Sequence, residues 1–243
     1  VIHSEPTAPA LTAIERCSGS SVNFTLQDII NNTVGGGNSV SSKFKYTVAS
    51  SNPMAVFPGP NRNTPSTARI TDTYTNTSNV DVVITYTVTP LNLTGDCEGA
   101  PFDLRVTVHP EPVGISVLDP VCNSILNHNI QASHIDAFGG SNLPSIFTYV
   151  VSSTNAGAVP PAPDRLVASS SNITDVYTNT SGSDVTITYT ITPFNAANPT
   201  CSGAPFSFQI VISSKPAGTS STVSAICSDA GFNIDPQGNI TNG

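Results

Sequence analysis

Tryptophan is absent from the 243 residues, methionine occurs once, and Asp, Glu, Lys and Arg together make up only 10% of the chain. Eight Lys+Arg against 16 Asp+Glu leave a formal net charge of -8 at pH 7. A surface so poor in cations does not suit a phosphate backbone or an anionic membrane, which excludes nucleic acid as a partner class. Long hydrophobic runs are missing too. Apolar residues reach 38% but are scattered among Thr, Ser and Asn, and the roughly 20-residue run of a membrane-spanning helix does not occur. The opening Val1-Ile2-His3-Ser4-Glu5-Pro6 lacks the basic start and apolar centre of a signal peptide. Chain-breaking residues, by contrast, are abundant. Twenty Pro and 17 Gly argue against a helical protein and for short strands joined by turns. Five cysteines are an odd number, which in a secreted protein implies a free thiol or a partner outside the chain.

Self-similarity at a fixed period dominates the rest. Ile70-Thr71-Asp72-Thr73-Tyr74-Thr75-Asn76-Thr77-Ser78 returns 103 residues later as Ile173-Thr174-Asp175-Val176-Tyr177-Thr178-Asn179-Thr180-Ser181, with eight identities in nine positions. Asp81 to Pro90 returns as Asp184 to Pro193, Phe44-Lys45-Tyr46 as Phe147-Thr148-Tyr149, and Ala55 to Arg62 as Ala158 to Arg165. Cys97-Glu98-Gly99-Ala100-Pro101-Phe102 returns after 104 residues as Cys201-Ser202-Gly203-Ala204-Pro205-Phe206. The unit is therefore about 104 residues long. Val1 to Pro6 aligns with Val211 to Pro216, and Cys17, Cys122 and Cys227 are spaced by 105 residues. Phe232-Asn233-Ile234 resembles the strand expected after each of those cysteines. The expected organisation is thus residues 1–6 as the end of a preceding repeat, 7–110 and 111–215 as two repeats, and 216–243 as the start of a truncated third, a window on a longer polypeptide.

Within a repeat, strict alternation places Val82, Ile84, Tyr86 and Val88 on one face and Val83, Thr85, Thr87 and Thr89 on the other, the mark of a half-buried strand. Val185, Ile187, Tyr189 and Ile191 are the second copy. Phe102, Leu104, Val106 and Val108 alternate in the same way, as do Phe206, Phe208, Ile210 and Ile212. Further strands are expected around Val22 to Asp28, Phe44 to Ala49 and Ile70 to Asn76, each bounded by Gly, Pro, Asn or Ser. About seven short strands in roughly 100 residues predict an all-β protein of tandem immunoglobulin-like β-sandwich repeats. His109-Pro110-Glu111-Pro112 and Ser214-Lys215-Pro216 read as semi-rigid hinges, so the repeats are expected to form a rod.

The succession of Cys-Ser-Gly, Ile-Thr-Asp-x-Tyr-Thr-Asn-Thr-Ser, Val-x-Ile-Thr-Tyr-Thr-x-Thr-Pro, Cys-x-Gly-Ala-Pro-Phe and a Pro hinge resembles the PKD-like repeats of giant secreted surface proteins in gliding Bacteroidetes. The resemblance covers the whole chain. It implies immunoglobulin-type modules in an adhesin exported by the type IX system and carried along the cell surface. The implied setting is extracellular and attached to the outer membrane through other parts of the protein. Tyr46 and Tyr149 stand where such repeats often carry Trp, and the C-terminal sorting domain of such proteins does not occur in this sequence.

Outside the cell thiols oxidise, so the regular cysteines read as a disulfide framework. Pairing within a repeat would join Cys17 to Cys97 and Cys122 to Cys201, leaving Cys227 to a partner beyond Gly243. Geometry objects: in an immunoglobulin topology the two positions lie at opposite ends of a strand, about 25 Å apart for eight residues, whereas disulfide Cα atoms sit within roughly 7 Å. Pairing across repeats, Cys17 with Cys201, is the alternative, and free thiols are a third. All three stand open on sequence alone.

Other chemistry is sparse. His128 and His134 match no common metal-ligand spacing, and His3 and His109 complete the set of four. Asp96 and Glu98 could bind Ca²⁺ in a loop, but Thr200 and Ser202 replace them in the second copy, so solvated carboxylates are the simpler reading and no cofactor or metal is expected. Asp72 and Asp175 fall in phase with inward-facing residues and are expected to bind turn amides at Asn76 to Ser78 and Asn179 to Ser181. Arg62 and Arg165, after a Pro-x-Pro run, either answer a carboxylate or lie solvated. Lys43, Lys45 and Lys215 recur too unevenly for an isopeptide staple. The Asn-x-Ser/Thr sequons are what a Thr- and Asn-rich chain yields by chance. No G-x-S-x-G, P-loop or H-E-x-x-H pattern occurs, so an enzyme is not expected.

Two principal functions follow. A structural spacer would hold an adhesive tip away from the cell, with adjacent repeats of the same chain as its partners. A binding module would present the loops Asn52 to Thr67 and Asn155 to Ala168, or Leu91 to Asp96 and Phe194 to Thr200, to a surface polysaccharide or another cell-surface protein. No loop carries the aromatic platform that sugar binding favours, so the spacer leads. A filament subunit is a third class.

Overall fold

The computed structural model describes residues 2–121 and 126–241. The chain divides into two compact units, Val1–Glu111 with Ala197–Cys201, and Pro112–Ala196 with Ser202–Gly243.

Unit one is built on a five-stranded sheet of β1 (Ile14–Cys17), β2 (Ser42–Ser50), β3 (Arg62–Ser66), β4 (Val82–Asn92) and β5 (Phe102–His109). The strand order is β1-β5-β4-β2-β3. β1 runs parallel to β5, with Ile14 opposite Val106 and Cys17 opposite His109, and the other pairs are antiparallel. The alternation read from sequence sets the core face: Val82, Ile84, Tyr86, Val88, Leu104, Val106 and Val108 are all buried. Each such side chain contributes on the order of 1.5–3 kcal/mol of transfer free energy.

The layer facing this sheet is less regular than expected. Val22 to Asp28 and Ile70 to Asn76 do not form strands; they meet at two isolated bridges, Ser21 with Thr73 and Phe24 with Ile70. Asn23 has φ 43°, in the left-handed region, which interrupts the extended run between the two bridges. The chain then turns into the helix α1 (Leu26–Ile30), whose buried Leu26, Ile29 and Ile30 follow helical spacing. Gln27 locks the turn, its Oε1 accepting Ser42 N at 2.9 Å and its Nε2 donating to Val40 O at 3.1 Å. The segment Asn52 to Thr67, read as a loop, contains the edge strand β3, where Pro65 is tolerated at the sheet margin.

Unit two repeats the plan with β6 (Val117–Val121), β7 (Ser145–Ser153), β8 (Arg165–Ser169), β9 (Val185–Asn195) and β10 (Phe206–Ile212), in the order β6-β10-β9-β7-β8. β8 likewise begins inside the predicted loop Asn155 to Ala168 and ends one residue past it. Instead of an α turn this unit has a π turn, Gln131–Ile135. The cause is one extra residue. Three steps separate Gln27 from Ile30 but four separate Gln131 from Ile135, so Asn31 N closes on Gln27 O while Asp136 N closes on Gln131 O. Both glutamines keep the same task, since Gln131 Oε1 accepts Ser145 N at 3.0 Å.

In residues 216–243, Ala217–Gly218 pairs with Ile240–Thr241 (β11 and β12). The strand expected at Phe232 to Ile234 is not formed, and both side chains are exposed. The sheet strands that would cover them have no counterpart in so short a segment. No helix among the described residues is long and apolar enough to cross a membrane.

Candidate functional site

The most distinctive chemistry in unit one is a cystine. Cys17 Sγ is bonded to Cys201 Sγ, with Cα atoms 5.3 Å apart. Cys17 ends β1 opposite His109, and Ser18 N donates to His109 O at 2.9 Å. Cys201 is buried in a turn closed by Cys201 N on Asn198 O. His109, 8% exposed, lies between two carboxylates: Nδ1 is 2.8 Å from Asp81 Oδ1, and Nε2 is 2.6 Å from Glu15 Oε2 without hydrogen-bond alignment. Arg16 ties down the same strand end, donating to Glu15 O at 2.8 Å and Val22 O at 3.2 Å.

The pairings Cys17 with Cys97 and Cys122 with Cys201 are therefore not formed. Cys97 and Cys227 are free thiols, and Cys122 lies outside the described residues. The reason is the register. Cys17 stands opposite the last residue of β5, whereas Cys97 precedes its first, so the length of an eight-residue strand separates them.

Asp72 and Asp175 occupy a different environment from the one predicted. Tyr86 Oη donates to Asp72 Oδ2 at 2.7 Å and lies 2.6 Å from Tyr74 Oη. Tyr189 Oη donates to Asp175 Oδ2 at 2.6 Å and lies 2.7 Å from Tyr177 Oη. The carboxylates thus bind core tyrosines rather than turn amides. The turns are held instead by Asn76 and Asn179, two buried residues not singled out from sequence. Asn76 Nδ2 donates to Val80 O and Val108 O, both at 2.8 Å, and its Oδ1 accepts Ser78 N and Oγ. Asn179 repeats all four contacts with Ser183, Ile212 and Ser181. The exact return of Tyr-Thr-Asn-Thr-Ser was the signal that could have found them.

Arg62 neither meets a carboxylate nor lies free. It donates to Ala68 O at 2.8 Å and Arg69 O at 3.0 Å, with its guanidinium 4.7 Å over the Tyr46 ring. Arg165 does the same with Ser171 O, Asn172 O and Tyr149. Asp96 and Glu98 pair with Lys43 and, at 2.5 Å, Lys45, partners that Ile146 and Thr148 replace in the second copy. His128 and His134 meet through their Nε2 atoms at 2.8 Å, and His134 Nδ1 lies 2.6 Å from Ile115 O. Among the described residues no three His, Cys, Asp or Glu converge as a metal site.

The chain belongs to the PKD-like domain family, whose model matches residues 14–112 and again 121–216. A comparison with curated proteins yields no match. Among solved structures, the first two domains of human mucin-like protocadherin are similar at 12% identity over 87% of this chain and 98% of that one, with a TM-score of 0.36. The first two domains of chicken VE-cadherin are similar at 11% identity over 84% and 98%, with a TM-score of 0.31. At such scores the likeness assigns neither partner nor activity.

Proposed function

We propose that this chain is a structural repeat segment, a stalk or spacer, of a large extracellular cell-surface adhesin of the gliding-motility type exported by the type IX system and attached to the outer membrane through other parts of the protein. PKD-like modules are typically non-catalytic, which suits this reading. The observation that carries it is the reach of the cystine. Cys17 and Cys201 are 184 residues apart in sequence, so most of both repeats lies inside one covalent loop. In the chain-entropy model a loop of that length stabilises the fold by about 5 kcal/mol. Its mechanical effect is larger. When the ends are pulled, force passes through the sulfur bridge, and only the 58 residues outside the loop, 16 before Cys17 and 42 after Cys201, can extend. Such a bypass is useful in a tether and idle in a free-standing binding module. The loops that would serve binding are also largely committed, since Asn52 to Thr67 and Asn155 to Ala168 contribute the edge strands and their arginine contacts.

Single-molecule pulling on the chain tests the proposal. Without reductant the extended length should stop near 58 residues, about 200 Å at ~3.5 Å per residue. With reductant a further gain of about 640 Å should appear. A full-length gain without reductant, or reproducible micromolar hits on a glycan array, would overturn the spacer reading.

A further inference from the structure

Cys97 is a half-buried free thiol in unit one, and its backbone frame is that of the bonded Cys201. Gly99 N donates to Pro90 O at 2.9 Å, as Gly203 N does to Pro193 O at 2.9 Å. Leu91 bridges Glu98 as Phe194 bridges Ser202. Neither glycine has room for a side chain: a Cβ on Gly99 would lie 1.9 Å from Pro6 O, and one on Gly203 1.8 Å from Pro112 O. Pro6 therefore stands to the first repeat as Pro112 stands to the second. Further contacts agree, because Thr7 N donates to Asn38 Oδ1 at 3.1 Å and Val113 N to Ser141 Oγ at 3.0 Å.

Pro6 and Pro112 are 106 residues apart, and the same shift carries His3 onto His109 and Glu5 onto Glu111. His109 is the residue that stands in register with Cys17. His3 packs against Gly95, where a Cβ would come 2.5 Å from its ring, and Gly95 O is 3.6 Å from the Cys97 thiol. A cysteine paired beside His3, as Cys17 is paired beside His109, would thus arrive next to Cys97.

We propose that Cys97 bonds the cysteine ending the first strand of another PKD-like module, one whose last strand runs into residues 1–6, in a cystine equivalent to Cys17–Cys201. Both sulfurs enter as thiols. The two electrons and two protons leave with an exogenous disulfide such as oxidised glutathione, which becomes two thiols as the new S–S bond forms. The proposal goes beyond the adhesin reading and survives if that reading fails.

The test adds a duplicate of residues 1–106 ahead of Val1 of the full chain, oxidises it with glutathione disulfide, and maps its cystines by mass spectrometry of a non-reduced digest. The expected links are Cys17 to Cys201 within the original chain, and Cys17 of the added copy to Cys97 of the original, while Cys97 of the added copy remains a thiol. A Cys17→Ser change in the added copy should return Cys97 of the original chain to alkylation by iodoacetamide while the Cys17–Cys201 peptide, which reports the fold, persists. Recovery of that Cys97 as a free or glutathione-capped thiol in the unsubstituted extended chain, or joined to any other cysteine, would overturn the proposal.

Discussion

The hydroxyl of Tyr86 donates to Asp72 Oδ2 at 2.7 Å, and one repeat later Tyr189 does the same to Asp175 at 2.6 Å. A hydrogen bond to a charged acceptor contributes about 1.5–3 kcal/mol, and removing one partner leaves the carboxylate poorly satisfied. Tyr86→Phe should therefore destabilise unit one by about 1.5–3 kcal/mol, and Tyr189→Phe unit two by a similar amount. Differential scanning calorimetry of the full chain would check this. Equal stability in the phenylalanine variants would show that the contacts are incidental.

Burial, then the hydroxyl and carboxylate contacts of Tyr74 and Asp72, push the Tyr86 hydroxyl far above its ordinary range, and Asp175 and Tyr177 do the same at Tyr189. A group whose folded pKa is raised contributes stability that is full below its unfolded pKa of about 10 and is lost as pH rises above it. Alkaline titration should show tyrosinate absorbance lagging behind that of the urea-unfolded chain and then rising abruptly as the fold is lost. Coincident titration curves would contradict the buried network.

Unit two carries an acid sensitivity that the corresponding part of unit one lacks. His134 Nδ1–H must donate to Ile115 O, because a carbonyl only accepts, so its Nε2 accepts from His128. Burial lowers the His134 pKa, with the Ile115 carbonyl acting the other way. A lowered folded pKa means stability that is full above the unfolded value of about 6.5 and declines as pH falls, with a slope of at most about 1.4 kcal/mol per pH unit. His134→Ile, which installs the residue found at Ile29, should flatten the urea midpoint of unit two between pH 7.5 and 5. A variant with an unchanged pH profile would place the sensitivity elsewhere.

The π turn offers a test by deletion. Removing Ala132, an exposed residue within it, should restore the three-step spacing of Gln27 to Ile30 and leave unit two folded, at a cost below about 1.5 kcal/mol. Removing Thr188 from β9 should instead invert every following side chain and abolish the unit's cooperative transition. Urea denaturation of the two deletions decides between these outcomes.

Arg62→Lys keeps the charge but gives up the planar fork that reaches two carbonyls and stacks on Tyr46. A loss of about 1–2 kcal/mol is expected, with faster hydrogen exchange confined to residues 66–70. Exchange unchanged in that segment would mean that the stacking and the bonds are dispensable.

The strands that carry the core were legible because burial on one face of a sheet writes itself into alternation, as in Val82 to Val88 and Phe206 to Ile212. What escaped was decided at a distance or by small side chains. Val22, Phe24 and Leu26 alternate like a strand, yet the left-handed Asn23 and the Gln27 contacts to residues 40 and 42 select a helical turn. The partner of Asp72 lies 14 residues on, across the core, while sequence proximity pointed to the nearer turn. The cysteine period was plain, but choosing between pairings required knowing that Cys17 sits opposite the end of β5 and not its beginning.

β1 and β5 lie side by side and parallel, as β6 and β10 do, and this pairing has a mechanical consequence. The chain enters each unit along one of these strands and leaves along the other. With the cystine reduced, opposed forces on entrance and exit therefore slide the two strands along their common axis. The ladder bonds, which run across that axis, are stressed together in shear instead of being peeled one at a time. A hairpin pulled at its two ends fails bond by bond at low force; in unit one, once the cystine no longer carries the load past β5, rupture must break the whole Ile14–Cys17 ladder at once.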